Sequence, residues 1–195
     1  MAVVDQREVN ESAAFEVVPR RGLVVVAMCV AFVAASIAGN WRWALLFCHV
    51  AGGASWTALD LFVGLVLGPL IGRLSPATRR EFMSRFLPKM VIIMPTVVMM
   101  TVAAGFQVAL QMGNLGVASV NHAWLIGSFV VVGVMAVIAL GVLEPANIAV
   151  LFEMNKPAPN GERIALLMRR FIYTAGITGL MQVATLVIMT RVGSR

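Results

Sequence analysis

Apolar residues in this chain do not form a single stripe along each helix; they fill long, nearly uninterrupted stretches. Five stand out, at about residues 22–38, 43–71, 90–112, 122–144 and 166–189. Each reaches the roughly 17–25 residues that carry an α-helix through a hydrocarbon core. The pattern predicts an all-α integral membrane bundle of five transmembrane helices, a single domain over residues 22–191 behind a polar tail at 1–21. The second stretch is too long to cross upright. Its 29 residues extend roughly 43 Å at about 1.5 Å per residue, against a core of about 30 Å. It must tilt, kink or protrude, and Pro69 favours a break near its end. Pro95 predicts a kink in the third, and the fourth runs to Glu144 or on to Phe152.

The segments between are short. Residues 1–19 read as a mobile tail, and Trp41 and Trp43 suit a headgroup layer. The largest connection, residues 73–89, opens with Ser75-Pro76, an N-cap followed by proline at the first helical position. Phe82, Phe86 and Leu87 share a face beyond it, which predicts a short amphipathic helix lying on the membrane surface. Residues 113–121 form a turn without charge, and 155–162 a loop with two prolines and Asn-Gly.

Composition sharpens this picture. Hydrophobic residues make up 60% and charged residues 12%, about half the charge of a soluble domain. The net charge of +6 does not imply nucleic-acid binding, because the basic residues lie in short loops beside the spans. All of the 15 Lys and Arg except Arg42, Arg191 and Arg195 fall in the tail, the 73–89 loop or residues 155–170. By the positive-inside rule the N-terminus is cytoplasmic, the chain crosses five times and the C-terminus lies outside. Acidic residues at 5, 8, 11 and 16 precede the first apolar run, so it reads as a retained span rather than a signal peptide. The expected partners are the lipid bilayer and, within it, a second copy of the chain or the subunits of a membrane complex.

Two groups of polar residues interrupt the apolar stretches. His49, Gly53, Trp56, Asp60 and Gly64 fall within an arc of roughly 80° at about 100° per residue. A histidine and an aspartate on one face of an apolar helix look into a protein interior, and the glycines admit a neighbouring helix. The orientation puts both histidines of the chain, His49 and His122, near the outer side. Two imidazoles from facing helices can hold a haem iron or two corners of a copper site. Met112 and Gln107 lie at a similar height, and a thioether favours Cu(I). The same histidines also read as an interfacial residue (His122) and a hydrogen-bonded structural one (His49).

Asp60 and Glu144 form the second group, in the cytoplasmic half, with Tyr173 near their level. They read either as ion pairs with Arg73, Lys89, Arg169 or Arg170, or as a proton or cation pathway. Glu144-Pro145 predicts a helix break that frees carbonyls. Cys29 and Cys48 read as small buried hydrophobes. No P-loop, dinucleotide fingerprint, HExxH, CxxCH or Ser-His-Asp arrangement is present, and no catalytic residue is assigned.

His49-x6-Trp56, Leu65-Val-Leu-Gly-Pro69, Arg73-Leu-Ser-Pro76 and the basic run to Arg85-Phe-Leu-Pro88, followed by a proline-bearing span, resemble CopD-like (copper resistance D-type) bacterial membrane proteins. The likeness covers roughly residues 43–105. The resemblance implies a multi-helix protein of the bacterial cytoplasmic (inner) membrane that binds or handles copper, with His49 as a ligand and Trp56 shielding the site. The His-x6-Trp spacing is also similar to that of HemJ-type membrane protoporphyrinogen oxidases, which bind haem; only His49 and Trp56 carry over. The alternatives carried forward are therefore a copper-handling protein, a haem-dependent membrane oxidoreductase, and a ligand-free subunit or transporter of another solute.

Overall fold

The computed structural model describes residues 20–194; the expected mobile tail at 1–19 lies outside them. Five helical rods make up the described chain: α1 (Arg20–Ala38), α2 (Arg42–Arg73), α3 (Pro76–Gln111), α4 (His122–Met154) and α5 (Gly161–Gly193). The last four are long and apolar enough to cross a membrane, and α1 is a shorter apolar helix, so this is a multi-pass helical membrane protein. Its polarity is distributed accordingly. Val50, Leu65, Val137, Leu140, Leu180 and Val187 are exposed on the outside, whereas Asp60, Ser128, Asn147, Thr178 and Gln182 are buried within. α2 packs on α3 and α5, α4 packs on α5, and α1 lies against α2 and α3. Cys48 is buried where α1, α2 and α3 meet, with Val33, Leu45, Ala104 and Val108, and both cysteines are free thiols.

The segment expected to lie on the membrane surface is instead the first part of α3. Ser75 caps it, accepting from the Thr78 N–H at 3.3 Å, but the helix then runs unbroken through Pro88 and Pro95 for 36 residues. Packing explains the difference. Met83 and Leu87 are buried against Ile71, Val150, Leu151, Met154 and Met168, so this face belongs to the bundle. Its arginines serve other helix ends. Arg79 donates to the carbonyls of Ile71, Gly72 and Leu74, and Arg80 to that of Met154, satisfying acceptors that a helix C-terminus leaves open. Buried Glu153 pins the 155–160 connection through Lys156 at 2.7 Å, Arg163 at 3.5 Å and the Asn160 N–H at 3.3 Å.

Pro69 and Pro145 do not break their helices either. Each is preceded by a π-helical segment, Phe62–Leu67 in α2 and Ala139–Leu143 in α4. A proline ring crowds the carbonyl four residues back and offers it no N–H; a wider i→i+5 turn relieves the crowding while keeping the rod helical. The two π segments both pack on α5. At that contact Gly64 meets Gly176 backbone to backbone: a Cβ on Gly64 would lie 2.6 Å from the Gly176 Cα. Asp60 stands two residues before one π segment and Glu144 directly after the other.

Candidate functional site

His49 is held by α3. Its Nδ1 lies 2.9 Å from the Thr101 carbonyl oxygen. A carbonyl only accepts, so Nδ1 carries the hydrogen and donates; in the neutral ring the lone pair is then on Nε2. Glycines make this approach possible. A Cβ on Gly105 would collide with the His49 ring, and one on Gly52 with the Thr101 hydroxyl. The imidazole therefore rests on bare α3 backbone, and its other side borders a cavity of about 260 Å³. Trp56, Thr57, Ser128, Met135, Gln182 and Met189 are among the other residues on its wall.

Below His49 on α2, four side chains form one hydrogen-bonded group. Trp56 Nε1–H and Gln182 Nε2–H both donate to Asp60 Oδ2, each at 3.0 Å. The Gln182 amide oxygen accepts from the Thr57 hydroxyl, which also lies 2.8 Å from the Gly53 carbonyl. Only this orientation of the amide gives both the carboxylate and the hydroxyl a partner. Asp60 is 3% exposed, and no Lys or Arg nitrogen lies within 4.0 Å of it among the described residues. Arg73, Lys89, Arg169 and Arg170 are all exposed.

A second cavity, of about 310 Å³, lies on the other side of Trp56. Asp60 and Glu144 both line it, with Trp56, Pro95, Met99 and Thr178 among the rest. Trp56 and Val102 are on the walls of both cavities and so partition them. Three residues after Glu144 on α4, Asn147 is fully buried, and neither atom of its amide has a hydrogen-bond partner among the described residues.

The structure thus brings His49 and Trp56 onto one cavity, and Trp56, Asp60 and Glu144 onto the other. His122 is elsewhere: its Nδ1–H donates to the Leu115 carbonyl at 3.1 Å in the turn before α4, and it does not line the His49 cavity. Met112 ends α3 at 43% exposure, with its sulfur 4.0 Å from the Asn114 amide nitrogen, and is also absent from that wall. Gln107 reaches Asn40 at 3.4 Å. Tyr173 is 67% exposed on the outside of α5 and lines neither cavity. Among the described residues, no three His, Cys, Asp or Glu side chains are grouped to hold a metal.

The sequence reading missed Thr57, Thr101, Gly105, Met135, Gln182 and Met189. Gln182 carried a usable signal, since an amide in the apolar run Leu180-Met-Gln-Val-Ala184 needs an internal partner. No family model, curated protein or solved structure matches the chain.

Proposed function

We propose that the protein is a CopD-like, five-span inner-membrane protein that binds monovalent copper in the cavity bordered by His49. The observation that carries this reading is the hydrogen bond from His49 Nδ1 to the Thr101 carbonyl. Metal-bound histidines characteristically give their second nitrogen to a carbonyl or carboxylate, which fixes the tautomer and leaves the other lone pair for the ion. Met189 on the same wall would offer soft sulfur, which selects Cu(I) over harder ions, whereas Met135, buried against Trp56, Met90 and Met94, lies deeper. In this reading His122 and Met112 are not ligands. Copper fits this site better than haem does. The cavity, about 260 Å³, is smaller than the roughly 300–1,000 Å³ of ordinary small-molecule sites. The second histidine that a bis-imidazole haem needs is not on its wall.

Orientation belongs to the same proposal. With the N-terminus cytoplasmic, the connections at 74–75 and 155–160 lie inside with most of the basic residues, and the copper cavity opens in the outer half of the bundle. The 19 residues of α1 are at the short end of spanning lengths, which makes it the fifth span. The test is an anaerobic Cu(I) titration of the detergent-purified chain against a chromophoric chelator, with His49→Ala alongside. One copper per chain, lost in the variant, supports the reading. A Soret band from co-purified haem, or equal copper in both proteins, overturns it.

A further inference from the structure

We propose that Asp60 is a proton-binding site reached through the cavity it shares with Glu144, and that its proton is exchanged for the copper ion held at His49. The second clause rests on the copper reading; the first does not.

Asp60 is a buried carboxyl group in the middle of a membrane bundle without a fixed cation. Such a group is neutralised by something mobile, either a proton or a bound ion. The groups that face it support the proton. From α5 they are Gln182 and Thr178, and from α3 the apolar side chains of Met94, Pro95, Val98 and Met99, all uncharged. From α4 the one titratable group is Glu144, and on α2 itself the nearest is His49, three turns away. A sodium-like ion needs a shell of oxygens, whereas Trp56 and Gln182 both present N–H groups, and to the same oxygen, Oδ2. The one hydroxyl beside the carboxyl group, that of Thr178, is engaged by the Thr174 and Ala175 carbonyls of its own helix. That leaves Oδ1 to take the proton. The wall of the shared cavity is otherwise mostly apolar, so the two carboxyl groups are its titratable points. Glu144 is the other carboxyl group on that wall, and so the group that exchanges the proton with Asp60.

The link to copper is the partition between the cavities. Trp56 and Gln182, which hold the carboxylate, are also walls of the His49 cavity, and Thr57 joins them there. A positive ion seated at His49 favours ionised Asp60 a few turns below it. One Cu⁺ enters as one H⁺ leaves Asp60 by way of Glu144 and is released on the cytoplasmic side, so the charge inside the bundle is unchanged. No electron is transferred. Linkage requires the reverse as well, with protonation of Asp60 weakening copper binding.

The experiment is infrared difference spectroscopy of the full-length protein in nanodiscs through a pH titration, with and without Cu(I), alongside a count of released protons. Wild type is expected to show a protonated-carboxyl C=O stretch that Asp60→Asn removes and that Cu(I) abolishes, with about one proton released per copper. Asp60→Asn is expected to bind copper while releasing none. Glu144→Gln is expected to keep the band but slow its hydrogen–deuterium exchange tenfold or more. If Asp60→Asn does not fold, isotope-labelled aspartate in Asp5→Asn protein reports Asp60 alone, Asp5 being the only other aspartate. Absence of a protonated Asp60 at every pH at which the protein is folded overturns the proton site, whatever copper does. Copper binding that releases as many protons from Asp60→Asn as from wild type overturns the exchange while leaving the copper reading intact. If Asp60 titrates but wild type binds no copper, the copper reading and the exchange fail together and the proton site stands.

Discussion

At the scale of single residues, the account turns on how His49 is seated. The space for its ring is the missing side chain of Gly105, so Gly105→Ala should displace the imidazole and weaken Cu(I) binding tenfold or more. Gly127, where an added Cβ meets nothing within 4 Å, is the matched control, and Gly127→Ala should leave the affinity unchanged. Both are read by the same chelator competition. Gln182→Leu strips buried Asp60 of one of its donors, while the Thr57 hydroxyl keeps the Gly53 carbonyl as its acceptor. Burying polar groups without partners costs about 1–3 kcal/mol, which thermal unfolding in detergent should register as a lower midpoint. The His49–Trp56–Asp60 face was legible in the sequence because all three residues, and the glycines between them, lie on one helix with a fixed period. Their partners were not. Thr101, Gly105 and Gln182 come from α3 and α5, and periodicity within one helix says nothing about which turn of another helix it meets. His122 and Met112 illustrate the same gap: both stand at outer helix ends, His122 turned to the Leu115 carbonyl, while His49 meets Thr101 and Gly105 about two to three turns deeper on α3 than Met112.

At the scale of elements, the apolar runs gave the rods and the prolines gave their irregularities, though not in the expected form. Pro69 and Pro145 mark π segments instead of breaks, and Pro88 and Pro95 sit inside a continuous α3. A break would leave carbonyls unpaired in a medium without water, so a wider turn is the less costly solution. The 73–89 segment misled because its phenylalanines and arginines form an amphipathic pattern on either a membrane surface or a bundle flank. Only the burial of Met83 and Leu87 separates the two. The close contact of α2 and α5 yields a sharp prediction. Gly64→Val forces the helices apart where an added Cβ already lies 2.6 Å from the Gly176 Cα. Overpacking of this kind costs about 1–3 kcal/mol. Gly72→Ala, with nothing within 4 Å of the new Cβ, should be neutral or slightly stabilising. Thermal scans of the two variants in the same detergent decide it.

For the whole molecule, composition and run length carried the class of protein, and the placement of basic residues is the ground for the proposed orientation. Five spans with a cytoplasmic N-terminus predict that a reporter enzyme fused after Arg195 is active only outside the cell membrane. One inserted in the 155–160 connection should be active only inside. A four-span arrangement with α1 lying in the interface would keep the N-terminus outside with the C-terminus, and a tag at residue 1 distinguishes the two. The central claim concerns neither topology nor stability but what sits beside His49. The most direct measurement is X-ray absorption at the copper edge on the Cu(I)-loaded, detergent-purified protein, with His49→Ala as the comparison. The account predicts mixed nitrogen and sulfur scattering in wild type and loss of the nitrogen component in the variant. A copper shell of nitrogen and oxygen alone, or one unchanged by removing His49, would contradict it.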